Sequence, residues 1–475
     1  MLSQEGNHRP QNKEIESLLL NQNFKVQWLR LLSCLVLVGL SHDGHAQVEA
    51  TASSAAMSLA DVYELAKTNA PELAIAEFRF DSAAADRDIA KGSMFPQISI
   101  FGDWSENKFR YEEGLLAERP TQDYPGERYG LQLRTPILNM RSFREYERQR
   151  FLADQSEIEI AVVRSELLSD VARSYLGVLL ASEDLRQSES ELTALLEQYE
   201  EAEALYERRL LAVTQLLETQ TRTETVKADV VDAEGKRSIA IEQLAQLIGS
   251  RSVTPAPVAS EIVLVNNLVS IDHAERRALE FDPAISAAEE ALRAAEKGIS
   301  REKGTWWPEI DFVYNSQYSD IGFDNVTSPP RSTESYSISM RYPLFEGGAG
   351  SARLRKAWAE YYQARERLEA ERRIAAGRAR SAWVSMQAAS ERMQAERQAL
   401  EAAGINLEAA KKAVRAGTAK PTDVLLALAY QTRARRDLNS AKFEYAMSWL
   451  ELGVSTGQEP DQLASDLSLG LMAEK

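Results

Sequence analysis

The sequence predicts a mainly α-helical fold with a small β portion: very long antiparallel coiled-coil helices and four short strands per chain. Three observations carry this reading. The chain repeats itself with offsets of 207 to 212 residues, two long proline-free stretches place apolar side chains at sevens, and four short segments alternate apolar with polar residues.

Composition narrows the function before any element is placed. The 475 residues hold 55 Lys+Arg against 72 Asp+Glu, a net charge of −17, too acidic for general nucleic-acid binding. The single cysteine, Cys34, and His8, His42 and His45 all precede residue 47, which leaves His273 alone in the rest of the chain. Zinc sites, cysteine nucleophiles and Ser-His-Asp triads lose most of their raw material, so no catalytic residue, metal or cofactor is expected. The abundant carboxylates are interspersed with Arg and Lys at spacings of solvated ion pairs.

The amino terminus reads as an export signal. Lys25 and Arg30 precede an apolar run from Leu31 to Leu40, too short to span a bilayer, and Gly44-His45-Ala46 offers small residues for cleavage before Gln47. The segment 1–46 is therefore expected to be removed. Most of the apolar run follows Cys34 instead of preceding it, which argues against lipidation there. The remainder, 47–475, is expected to be one unit made of two repeats, 58–249 and 272–457, with a connector at 250–271 and a tail at 458–475.

The repeats are explicit. Asn69-Ala70-Pro71-Glu72-Leu73 matches Phe281-Asp282-Pro283-Ala284-Ile285, and Phe95-Pro96-Gln97-Ile98 matches Trp307-Pro308-Glu309-Ile310. Further on, Tyr129 to Pro136 matches Tyr336 to Pro343, and Thr214 to Leu217 matches Thr422 to Leu425. Each copy opens with an Ala-rich amphipathic helix, 58–94 and 272–305, closed by the aromatic-Pro step. Two helices of 68 residues are then expected at 139–206 and 349–416, about 100 Å long at 1.5 Å per residue. Their seams are Val171, Val178, Leu185, Leu192, Tyr199, Tyr206 and Leu354, Tyr361, Leu368, Ala375, Ala382, Ala389. The second seam slips by four to Met393, Leu400, Leu407 and Val414, a stutter.

The extended segments have one apolar and one wet face. Ile98, Ile100 and Trp104 oppose Gln97, Ser99 and Asp103; Leu131 and Leu133 oppose Gln132 and Arg134; Ile310, Phe312 and Tyr314 oppose Asp311 and Asn315; Tyr336, Ile338, Met340 and Tyr342 oppose Ser337, Ser339 and Arg341. Strands of about ten residues with this alternation suit an outer-membrane barrel whose apolar side chains meet lipid. Four strands cannot close, and open edges are not tolerated in hydrocarbon, so other copies of the chain must complete the barrel. Two copies would give eight strands and a filled barrel; three give twelve and a lumen, which the long helices favour. Trp306 and Trp307 would form an interfacial belt, and the polar connections 105–128 and 319–334 would be extracellular loops.

The chain resembles the TolC-type outer-membrane efflux duct family from about residue 58 to 457. The resemblance rests on Pro71-Glu72-Leu73, Phe95-Pro96-Gln97, the strand-end run Tyr342-Pro343-Leu344-Phe345-Glu346-Gly347-Gly348, and Gly417-Thr418 followed by Asp423-Val424-Leu425. It implies a homotrimer with a twelve-stranded transmembrane β-barrel and a periplasmic helical tunnel. It also implies two partners, a periplasmic adaptor protein and an inner-membrane transporter. The tunnel would narrow at the helix tips, Arg209-Leu210-Leu211-Ala212-Val213-Thr214 and Gly417-Thr418-Ala419-Lys420-Pro421-Thr422, where the adaptor would dock.

Asp423 stands where the family commonly places an acidic ring, and Glu218 stands at the first-copy position matching Leu426. Three Asp423 carboxylates around one axis would favour cations; alternatively, Asp423 caps the helix that follows Pro421. The sequence departs from the family at Arg209, where Gly is common, and at Leu426, where a second acid can occur. Gln215 and Ala419 cannot form the charged link that some members use. Closure is then expected to rest on packing of Leu210, Leu211 and Val213, or on Arg209 or Lys420 pairing with Glu218 or Asp423. The competing reading, a secreted coiled-coil structural or adhesin protein, accounts for the helices and the acidity but not for the duplicated strand pairs.

Overall fold

The computed structural model describes residues 56–472 apart from 110–121, 251–254, 257–261, 263, 265–269 and 321–328. The expected export signal lies outside the described residues, as do the centres of both polar connections.

The first copy runs α1 (Leu59–Asn69), α2 (Pro71–Gly92), β1 (Gln97–Phe109), β2 (Gln122–Leu138), α3 (Met140–Glu207) and α4 (Val213–Ile248). The same order returns as α5 (Ile271–Phe281), α6 (Pro283–Gly304), β3 (Glu309–Asp320), β4 (Arg331–Arg341), α7 (Ala349–Arg415) and α8 (Pro421–Ser455), followed by α9 (Pro460–Met472). Among the described residues no helix is long and apolar enough to cross a membrane.

The single helix expected at the start of each copy is two. Pro71 and Pro283 occupy the first helical turn of α2 and α6. A proline lacks the N–H of a helix interior and clashes with the carbonyl four residues back, so α1 and α5 end before it and a new helix begins on it. In the second copy Asp282 caps that start, its Oδ1 accepting the Ala284 N–H at 2.9 Å.

α3 and α7, of 68 and 67 residues, are continuous and about 100 Å long. Asn139 starts α3 by accepting the Ser142 N–H at 2.9 Å. α7 starts from Gly347 and Gly348, whose φ values of 61° and 87° would strain residues with a side chain. The α7 seam follows the expected heptads: Leu368, Ala375, Ala382 and Ala389 are buried, and after the stutter so is Leu407. The α3 seam does not. Beyond Val178, Leu185, Leu192 and Tyr199 are half-buried and Tyr206 is exposed, while Ser188, Leu195 and Ala202 are buried. The seam has slipped by three, onto polar and small residues that a search for apolar heptads passes over.

The main core gathers where α1, α3, α4 and α8 meet, around Leu59, Val62, Leu168, Val171, Leu244, Ile248 and Leu450. The segment expected to be a tail is instead α9, which packs on α1, α3 and α8. Leu463, Leu467 and Leu471 are its buried stripe. Gly453 permits the approach, because a Cβ there would lie 2.4 Å from Leu463 Cδ2.

Candidate functional site

The four strands form one antiparallel meander, β1-β2-β3-β4. They run 13, 17, 12 and 11 residues, longer than the ten expected. β1 and β2 continue past Ser105 and before Arg128, so the flanks of the expected 105–128 loop are strand: even Asn107, Lys108 and Phe109 find partners in Tyr124, Asp123 and Gln122.

Register converts four separate alternations into one face. Ile98 and Ile100 oppose Leu133 and Leu131; Leu133 opposes Tyr314; Ile310, Phe312 and Tyr314 oppose Met340, Ile338 and Tyr336. Directly opposed residues share a side, so these groups and Trp104 form a continuous apolar surface. Stacked Tyr129 and Tyr318, centroids 4.9 Å apart, and tilted Tyr314 and Tyr336, 4.8 Å apart, extend it. Ile98, Ile100, Trp104, Leu131, Tyr336, Ile338 and Met340 are exposed in the single chain, whereas Leu133, Ile310, Phe312 and Tyr314 are half-covered. Tyr342 falls just outside β4. Its partner would be Pro308, which has no N–H to give, so the ladder stops at Glu309 and Arg341.

The other face is wet and charge-paired. Arg128 donates to Asp103 at 2.5 and 2.9 Å, and Arg134 donates to Asp311 at 2.6 Å. Exposed Phe95, Trp306, Trp307, Leu344 and Phe345 mark where helices hand over to strands.

At the opposite ends of the long helices, both tips repeat one backbone device. Arg209 N–H bonds Tyr206 O and Leu210 N–H bonds Leu205 O; Gly417 and Thr418 do the same to Val414 and Ala413. Each is a Schellman turn with a left-handed residue, φ 59° at Arg209 and 71° at Gly417. Arg209 thus takes a glycine's conformation, at a cost of about 1 kcal/mol. The Lys420 N–H donates to Asp423 Oδ2 at 2.9 Å, so Asp423 caps α8 while remaining exposed. Glu218 and Leu426 are exposed, and Gln215, Leu211, Ala419 and Thr422 are half-buried. Ala212, Val213, Thr214 and Thr418 are exposed, as is Leu210 at 71%. Within one chain, among the described residues, no ion pair joins Arg209 or Lys420 to Glu218 or Asp423. Val424 and Ala427 pack on Leu407 and hold the second tip's helices together.

A buried node farther along the helices escaped the sequence reading. Glu191, 3% exposed, accepts from Arg222 of α4 at 2.6 Å and lies 3.9 Å from Arg436 of α8. Arg435 and Arg436 also donate to Gln187 and Ser188 of α3. The node ties the first helical hairpin to the second. A signal existed in the slip of the α3 seam onto polar residues, but only neighbours distant in sequence give it meaning. Among the described residues no group of three or more His, Cys, Asp or Glu is arranged to hold a metal ion.

The model of the outer membrane efflux protein family matches residues 62–250 and 275–458, once on each copy. The chain is 25% identical to the proteases secretion protein PrtF of Dickeya chrysanthemi, over 86% of this chain and 90% of that protein. It is 23% identical to the outer membrane protein TolC of Escherichia coli, over 91% of this chain and 88% of that protein. Among solved structures, that of CusC aligns with a TM-score of 0.73 at 20% identity, covering 87% of this chain and 96% of the other. These likenesses give no support to a secreted coiled-coil adhesin. The chain belongs to the outer membrane efflux protein family and is an outer-membrane efflux or secretion channel with a periplasmic helical tunnel.

Proposed function

We propose that three copies of the chain close a twelve-stranded barrel, and that the six long helices (α3 and α7 of each copy) and twelve shorter ones (α2, α4, α6 and α8 of each copy) below it form a tunnel. The observation that carries this is the open meander, apolar on one side, with β1 and β4 each offering an unpaired edge. In hydrocarbon those edges require partners, and since all four strands among the described residues already lie in this sheet, further copies supply them. The apolar set from Ile98 to Met340, with Tyr342 at its border, then meets lipid. The wet face with Arg128, Asp103, Arg134 and Asp311 lines the pore.

The tips form the periplasmic aperture, with Asp423 and Glu218 as its acidic groups and Gln215 and Leu426 beside them. Leu210, Leu211 and Val213 supply closure by packing between copies, which is consistent with Leu210 being 71% exposed in its own chain. A periplasmic adaptor docks on residues 209–214 and 417–422 and biases the gate by binding the open tips better. An inner-membrane transporter chooses the cargo and supplies energy. Similarity to a protease secretion protein favours polypeptide export as the task.

The test is extraction and conductance. The protein is expected to leave outer membranes as a detergent-stable trimer and to form channels in planar bilayers, with Leu210→Ser and Leu211→Ser raising the open probability. A water-soluble monomer would end the barrel proposal; unchanged opening in both variants would end the packing account of the gate.

A further inference from the structure

The helices nearest the strands pack in the order α2, α3, α6, α7. One groove touches all four, through Ala76 of α2, Gln155 of α3, Ala284 of α6 and Glu360 of α7, so it lies on the inner side of a curved row. Trp358 and Tyr362 stand two residues either side of Glu360. At about 100° per residue they point roughly 160° away from it, and Arg355, five residues before, roughly 140° away, all toward the convex outside. The row ends at α2 and α7, so neighbouring copies meet the flanks of these helices and leave their backs uncovered.

That back carries a compact aromatic and cationic patch. Trp358 stacks on Tyr362 at 5.9 Å, and Tyr361 meets the two rings edge-on at 5.9 and 5.6 Å. Trp358 and Tyr362 are 38% and 49% exposed. Lys303 of α6 lies over Trp358 at 5.7 Å, and Arg365 lies over Tyr362 at 5.4 Å. Among the described residues Lys303 and Arg355 form no ion pair, in a chain whose net charge is −17. The patch begins where the strands end: Lys303 is one residue from the end of α6, exposed Trp306 and Trp307 follow it, and Trp358 sits about 14 Å down α7.

We propose that this patch binds the headgroups of anionic phospholipids on the periplasmic surface of the membrane, with Lys303 and Arg355 engaging the phosphodiester and Trp358 bracing Lys303 from below. Trp306 and Trp307, exposed at the strand end, are the rings that settle at the interface itself, and each Lys or Arg near it favours an anionic surface by about 1 kcal/mol, a factor of about five. Continuity with the apolar strand face and charge complementarity select lipid over a protein occupant. The proposal rests on the barrel reading.

The test uses the full chain reconstituted in phosphatidylcholine vesicles containing spin-labelled phosphatidylglycerol or spin-labelled phosphatidylcholine. The wild type is expected to restrict phosphatidylglycerol several-fold more strongly, a preference reduced by 1 M salt and lost in the Lys303→Gln/Arg355→Gln variant. The number of restricted phosphatidylcholine molecules stays the same in that variant, because its strands are untouched. Equal restriction of both lipids by the wild type, or a preference surviving in the variant, overturns the proposal and leaves the barrel standing. Absence of restricted lipid of either kind overturns the barrel, and the patch with it.

Discussion

Ile338 and Ser337 are adjacent on β4 and face opposite ways, which makes them a controlled pair. Ile338 is 71% exposed in one chain and sits between Tyr336 and Met340 on the apolar surface. Full burial of such a side chain is worth about 1.5–3 kcal/mol, so covering 71% of it with lipid contributes about 1–2 kcal/mol. Arginine on the lipid face costs a further 2–4 kcal/mol or so at mid-bilayer and less toward the edge. Ile338 lies three residues inside the end of β4, so about 2 kcal/mol is appropriate. Ile338→Arg should therefore cost about 3–4 kcal/mol per chain, counted three times in a trimer. Ser337→Arg faces water and should cost under about 1 kcal/mol; the bond lost, from Ser337 Oγ to Val313 O at 3.4 Å, is long. The assay is the yield of detergent-stable trimer from outer membranes. Equal yields from the two variants, or greater loss from Ser337→Arg, would refute the assignment of faces.

Leu467→Ala empties a fully buried position under α9 and should cost about 3–4 kcal/mol, read as a lower unfolding temperature and faster proteolytic loss of the C-terminal helix. Glu191→Gln leaves Arg222 and Arg436 facing a neutral group. Since both arginines are about a third exposed, water offsets most of the usual penalty for a broken buried pair, leaving about 1–2 kcal/mol. Faster hydrogen exchange over residues 421–436, and non-additivity with Arg436→Met, would mark the loosened hairpins. A pH dependence is expected from the α3–α6 junction. Burial pushes the Glu145 carboxyl up, but bonds from Arg301 at 2.9 Å and Gln149 at 2.7 Å outweigh it and hold it below the ordinary range; Glu147 is held down likewise by Arg144 and Lys297. Groups shifted down stabilise the fold fully above their unfolded value of 4.5 and stop doing so as pH falls through the lower folded value. Melting temperature should accordingly drop on acidification from pH 6 to pH 3, and drop less in Arg301→Met.

Much of this molecule was legible in the sequence because its signals are local and periodic. The seam of α7 from Leu368 to Leu407 and the alternation of Ile98, Ile310 and Ile338 follow from backbone geometry that repeats every few residues, so counting finds them. Arg209 stands out in the sequence as a departure where glycine is common, but only the structure puts it in the left-handed conformation of Gly417. Pro71 and Pro283 are equally visible in the sequence, but that each ends one helix and starts the next is seen only in the structure. What counting cannot reach is contact between distant segments. The joining of four alternations into one surface depends on strand register; the Glu191 node and the α3 slip depend on α4 and α8 arriving from elsewhere; and α9 is a core element because Gly453 leaves room for Leu463. The long helices, the four strands and the faces the strands turn to water or apolar surroundings follow from the sequence alone, since those are set within a turn or two of chain. Only the tertiary structure decided which faces meet, because burial is a property of pairs of segments brought together through space.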